Sequence, residues 1–369
     1  MAVCGVSPNR LVWMGLLFLF GLLELVFSQL ADSLTLLLDS FHSLWVLLDL
    51  AMPVLAECLA RRPVPSAHTF AWERLVAVGC LVADVLLLSL CCSVSVAAVS
   101  RLLSPHPFHR PTLPIAAGAG GIVVNLGLHL WLRSIGGGWS SSPSLGSGQD
   151  LRDSPGEHPR PKDKSADSTR WENDPAAARD TADRGAQGKR ILSCLVGVGQ
   201  SVLSSVLALA VGFLHSFPAA PAGSWHKDCL PYLDPGLSLL TALALVIGVA
   251  PRLKVSVLLL LECVPEQVDL RRLTERLAAV SGVVAVHELH VWRLSSRRVL
   301  ASAHVQCRSL VGFARVSGDL RRVFDSEGIH SATVQPEFIS PAGIGSKVCQ
   351  LACGPQCAKK LCCEWPKGA

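Results

Sequence analysis

The sequence predicts an α-helical membrane protein: six transmembrane helices followed by a small cytosolic α+β domain of order α-β-β-α-β. Three observations predict it. Hydrophobic residues make up 50% of the 369 positions and charged residues only 17%, a composition that leaves too much apolar surface for a water-soluble core. Six apolar windows occur near 11–30, 33–57, 75–99, 112–133, 191–214 and 234–251, each near the roughly 20 helical residues that cross a bilayer core. Beyond them, residues 263–340 return to the alternating and helical periodicities of a soluble fold.

The first window is a membrane helix rather than a cleaved leader. A second apolar run begins at Ser33 after a very short polar turn, as in a helical hairpin. Arg61, Arg62 and Arg74 lie between windows two and three, and a Lys/Arg-bearing segment from Arg152 to Arg190 lies between windows four and five. The positive-inside rule assigns both loops to the cytosol, although Arg101 and Arg110 after window three fit it less well. Six spans then place both termini in the cytosol.

The expected organisation runs from helices one to four in residues 1–135 to a cytosolic linker at 136–190. That linker mixes Gly, Pro, Ser and both signs of charge without apolar periodicity, so it cannot bury a core and reads as disordered. Helices five and six occupy 191–262, where Pro251, Arg252 and Lys254 are read as the membrane exit and SVLLLLECVPE as an interfacial segment. The soluble domain, 263–340, precedes a cysteine-rich tail at 341–369.

Within the soluble domain, DLRRLTERLAAVSG has helical spacing with Asp269 as N-cap, and VVAVHELHVWRL and RRVLASAHVQC are β-rich runs separated by a short polar turn. A second helix follows at 310–327 and IHSATVQPEFI is the last strand. The net charge of +5 sits mainly in loops, where topology explains it without nucleic acid. No nucleotide fingerprint, nucleophile elbow or converging base and nucleophile occurs, so the chain reads as a non-enzyme without a catalytic cofactor. No Asn-x-Ser/Thr acceptor is present either.

Charged groups at membrane depth cost several kcal/mol unless they face a cavity or a partner. Asp39, His42 and Asp49 in the second window are therefore candidates. Asp39 and His42 share a helical face, whereas Asp49 lies seven residues beyond His42, about 10 Å along the axis. Simple hydrogen bonding to neighbouring helices is the alternative role for all three. Among the 14 cysteines, Cys349, Cys353 and Cys357 recur at four-residue intervals, with Cys362 and Cys363 beyond. Such thiols line one helical face as soft metal ligands, accept a lipid, or stay reduced and inert in the cytosol. Cys229, in a predicted extracellular loop, is a lone oxidisable thiol.

LTLLLDSFHSLWVLLDLAM, HTFAWERLVAVG, LLLLECVPEQVDLRRL, VVAVHELHVWRL, ASAHVQC and GIHSATVQPEF together resemble the cation diffusion facilitator family of zinc transporters, solute carrier family 30. The resemblance covers nearly the whole chain apart from the linker, and the ending CQLACGPQCAKKLCC resembles the tail of a vertebrate member. It implies a plasma-membrane dimer, with itself or with another zinc transporter, in which each six-helix unit exchanges Zn²⁺ for protons across the lipid. Zinc is then the transported or regulatory ion.

The family site implied at mid-membrane is tetrahedral, a His-x-x-x-Asp pair on span two facing another on span five. His42 matches, but the other three positions fall at Val46, Gly197 and Ser201. One imidazole offers one bond to an ion that has to shed its hydration shell. Asp39, Asp84, Cys194 and Gln200 are the groups from which a site near His42 could be rebuilt. In the soluble domain the family's metal positions fall at His287, His304 and Glu337, against the alternative of ordinary strand-surface histidines. His290 has strand parity opposite to His287, so the two are not expected to serve one ion. With only His158, the linker reads as a solvated tether. Two functions follow: a proton-coupled zinc exporter with a modified site around His42, or a non-transporting relative that partners or regulates an active transporter.

Overall fold

The computed structural model describes residues 8–63, 66, 70, 72–105, 110–134, 199–216, 225–295, 298–307 and 313–338. The linker, Cys194, Gly197 and the tail cysteines lie outside them. The chain divides near Lys254 and Val255 into a helical unit and a C-terminal unit.

Among the described residues, six helices are long and apolar enough to cross a membrane. They are α1 (Pro8–Ala31), α2 (Leu34–Ala60), α3 (Leu75–Leu103), α4 (Thr112–Ser134), α5 (Gly199–Ser216) and α6 (Trp225–Leu260). Side chains such as Val12 and Leu19 on α1, Val82 and Val96 on α3, Val123 on α4 and Ile247 on α6 are exposed. That is the surface hydrocarbon solvates, and helices satisfy their own backbone there. This is a multi-pass membrane protein.

Helix α2 is the hub of the bundle. Its Leu34 and Leu38 pack with Leu87, Cys91 and Val94 of α3 and Ala242, Leu245 and Val249 of α6. Leu50 joins Leu17 of α1 and Leu128 of α4, and Leu36 joins Ala117 of α4 and Ala208 of α5. Helices α4 and α5 touch backbone to backbone: a Cβ on Gly118 would lie 2.7 Å from both Ser205 O and Leu209 N. Small residues supply this close approach where no hydrophobic effect drives helices together.

The sixth helix departs from expectation, running without a break through Pro251 to Leu260 instead of ending near 251. A proline inside a helix removes one hydrogen bond but need not end it in a bundle. Arg252, read as an exit marker, is paired with two acidic residues of other helices.

In the C-terminal unit, α7 (Leu270–Ala278) is capped by Asp269, whose carboxylate accepts from Arg271 N and Arg272 N. Strands β1 (Val283–Arg293) and β2 (Val299–Cys307) pair antiparallel, helix α8 (Phe313–Ser326) crosses over, and β3 (Ser331–Phe338) pairs parallel to β2. Leu273, Leu277, Val316, Leu320 and Phe324 of the helices pack on Val291, Ala301, Ala303 and Val305 of the sheet. Cys307 belongs to this core, and burial pushes its thiol upward. Phe324 is fully buried there, so Phe324→Ala is expected to cost about 3–5 kcal/mol. Hydrogen exchange in β2 of the full chain should accelerate by more than about 100-fold; an unchanged rate would refute this packing.

Candidate metal sites

The sheet face opposite α7 and α8 carries the first site. On β2 the core side chains alternate with Ser302, His304 and Gln306, and the register places His287 opposite His304 and Glu337 opposite Gln306. Adjacent strands bring the three side chains together. His287 Nε2 lies 3.0 Å from Glu337 Oε2 and His304 Nδ1 lies 3.2 Å from Glu337 Oε1. The two imidazoles meet edge to face at 5.3 Å. Gln306 Nε2 also donates to Glu337 Oε2 at 3.4 Å, holding the carboxylate from the remaining side.

One ligand atom from each of these three residues lies within 4.8 Å of the other two, the one such group of three among the described residues. In a tetrahedral zinc site, bonds near 2 Å set ligand atoms about 3.3 Å apart. A contraction of side chains closes the difference, so the donor set fits a zinc ion with one position left for water or another ligand. Side-chain exposures of 7%, 25% and 2% for His287, His304 and Glu337 leave an approach past His304.

His290 corrects the parity argument. A β-bulge lies between His287 and His290, with Glu288 at φ 50°, so His290 pairs with Ser302 and returns to the face of His304. The expected separation still holds for another reason. His290 Nε2 bonds Glu288 Oε2 at 2.7 Å, is largely exposed, and is not in the group of three.

In the membrane unit His42 is buried, its ring stacked 5.5 Å from Trp45 and near enough to His129 of α4 to interact electrostatically. Val46 packs with Leu17, Leu50 and Leu128. Ser201 is buried, and its carbonyl accepts from Asn125 Nδ2 at 3.3 Å. No group of three ligands forms at His42 among the described residues.

Among the described residues, three candidates for rebuilding that site, Asp39, Asp84 and Gln200, hold other partners. Gln200 Nε2 donates to Ala244 O of α6 at 2.9 Å. Asp84 accepts from Trp45 Nε1 at 2.9 Å and from Arg252 at 2.7 Å. Asp39 accepts from Ser204 Oγ at 2.5 Å and lies beside Glu24 of α1. Glu24 in turn accepts from Ser43 Oγ at 2.7 Å. Both carboxyls are fully buried. Glu24 Oε1 and Asp39 Oδ2 are buried without a hydrogen-bond partner. Glu24 carried the same signal as Asp39, a carboxyl within an apolar window. Asn125 and His129 become visible only when α4 is packed.

The chain matches two family models: the cation efflux transmembrane domain over residues 11–261 and the cation efflux protein cytoplasmic domain over residues 265–337. It is 30% identical over 447 residues to the proton-coupled zinc antiporter SLC30A1 of Homo sapiens, covering 98% of this chain and 88% of that protein. It is 28% identical over 404 residues to the human calcium/manganese antiporter SLC30A10, covering 95% of this chain and 82% of that one. The vacuolar zinc transporter ZRC1 of Saccharomyces cerevisiae is 29% identical over 362 residues, covering 87% of this chain and 81% of its own length.

Proposed function

The chain belongs to the cation efflux family, and from that premise we propose that it is a zinc transporter, a proton-coupled carrier of Zn²⁺ out of the cytosol. The observation that carries the reading is the convergence of His287, His304 and Glu337. Two imidazoles and a carboxylate suit Zn²⁺, whereas an all-oxygen set suits Ca²⁺ or Mn²⁺. Zinc at this site is regulatory: it ties β1, β2 and β3 together and reports cytosolic supply to the helices. The names of the human and yeast zinc-handling relatives support the same cargo.

The membrane step then runs through Glu24 and Asp39 rather than a four-ligand cage at His42. Two buried carboxyls without a cation hold a proton between them, because two bare negative charges in hydrocarbon cost too much. A divalent cation arriving at the pair removes that need and releases the proton; departure of the cation restores it. Ser43 and Ser204 hold the two carboxyls in place through both states. No bond-making chemistry is involved. The working protein is a homodimer, or a heterodimer with another zinc transporter, in the plasma membrane, with both termini in the cytosol.

The second reading, a non-transporting partner or regulator, is favoured by Val46 packed among leucines where the family has a ligand. Flux of ⁶⁵Zn in proteoliposomes under an imposed pH gradient separates the two. The native chain is expected to transport, Asp39→Asn to slow it by roughly tenfold, the equivalent of about 1.4 kcal/mol, and His42→Ala to change it little. Flux only in the chain carrying Val46→Asp, Gly197→His and Ser201→Asp would establish the second reading instead.

A further inference from the structure

Two acidic residues deep in the bundle share one arginine. Arg252 Nη1 lies 2.6 Å from Asp49 Oδ1 on α2, and Arg252 Nη2 lies 2.7 Å from Asp84 Oδ1 on α3. The guanidinium also sits 4.4 Å over the ring of Trp45, within the range of a cation–π contact. Trp45 donates to Asp84 and stacks on His42. A continuous stack therefore runs from His42 through Trp45 to Arg252, toward the end of α6 that continues into the C-terminal segment.

Three features set this cluster apart from a structural staple. The arginine divides its fork between two helices instead of gripping one carboxylate with both nitrogens, the stronger geometry. Arg252 Nε and Asp84 Oδ2 are buried without a hydrogen-bond partner, and a partly satisfied buried network opens more readily than a complete one. Pro251 immediately precedes the arginine and leaves the Ile247 carbonyl without its helical donor. The helix is weakened where the clamp is anchored.

We propose that Arg252 is a tethered cation that closes this side of His42: by bridging Asp49 and Asp84 beneath Trp45 it locks α2, α3 and α6, and its release opens the passage. The guanidinium fills the position to which paired carboxylates would otherwise draw a free divalent ion. The clamp operates in a transporting or a silent chain alike, so it does not rest on the transport reading.

Cys80 is the reporter, buried on α3 with its sulfur 3.9 Å from Asp49 Oδ1. Cys91, buried on the same helix, reports general unfolding. The full chain in lipid nanodiscs is treated with a water-soluble maleimide, and modification is read cysteine by cysteine by peptide mass spectrometry. In the native protein both cysteines are expected to stay unmodified. In Arg252→Met, and in the charge-free combination Asp49→Asn, Asp84→Asn, Arg252→Met, Cys80 should label at least about tenfold faster while Cys91 stays protected. The charge-free chain leaves no ion buried alone and decides the matter if Arg252→Met misfolds. Protection of Cys80 in that chain, or labelling of Cys91 alongside it, overturns the proposal, as does ready labelling of Cys80 in the native protein. No zinc flux is read, so a chain silent in the ⁶⁵Zn assay leaves this result intact.

Discussion

Replacing Glu337 by alanine is expected to remove one bound zinc per chain and to weaken zinc binding at the soluble domain by more than about 100-fold. The carboxylate reaches both His287 and His304 and is the only anionic member of the group. Without it the ion meets two neutral imidazoles and keeps its full charge, whereas loss of an outer-shell partner alone typically costs about 10–100-fold. Glu337→Gln keeps a polar group facing Gln306 and the histidines but not the anion. It should fold like the native chain and still lose most of the affinity. Competition against a fluorescent zinc chelator, on the full chain in nanodiscs, reads stoichiometry and affinity together. Unchanged values for His287→Ala, His304→Ala and Glu337→Ala would sink the site.

The second large effect lies at the other end of α2. Asp234 of α6 accepts from Leu34 N, Thr35 N, Ser33 Oγ and Thr35 Oγ1 at 2.8–3.2 Å. It caps from a distant helix the donors that a helix start leaves open, and its negative charge faces the positive end of the α2 dipole. Arg101 stands 3.8 Å away and also pairs with Asp32. Asp234→Ala is expected to cost about 2–4 kcal/mol, the loss of a cap plus several buried groups left unpaired. Asp234→Asn, which keeps an acceptor without the charge, should recover part of it. Thermal unfolding in detergent and hydrogen exchange at residues 34–37 measure both variants. An unaltered melting point with unaltered exchange would show that Ser33, which accepts from Leu36 N, suffices as the cap.

Much of the candidate chemistry was legible residue by residue, and its limits are physical. His287, His304 and Glu337 were expected from motif resemblance, and their convergence follows once β2 lies between β1 and β3. The side on which His290 emerges was not legible, because a one-residue bulge reverses strand parity and no alternation rule foresees it. Asp39 was marked by its charge in an apolar run, but its position against Ser204 of α5 and Glu24 of α1 was not. Those neighbours depend on how α1 and α5 rotate against α2. The two acidic partners of Arg252 were not legible, because they lie 168 and 203 residues away in sequence.

By itself, the sequence determined that six segments enter the bilayer and that an α-β-β-α-β domain follows, since helix length, apolar content and strand periodicity act along the chain. Through the resemblance it also implied that two of the family's ligand positions fall at Val46 and Ser201, which offer no carboxylate. The tertiary structure alone decided which buried carboxyls lie together, which ones an arginine holds, and which three become one metal-sized cluster. Those outcomes depend on distances of about 3 Å between residues far apart in sequence, where the cost of an unpaired buried charge selects among partners.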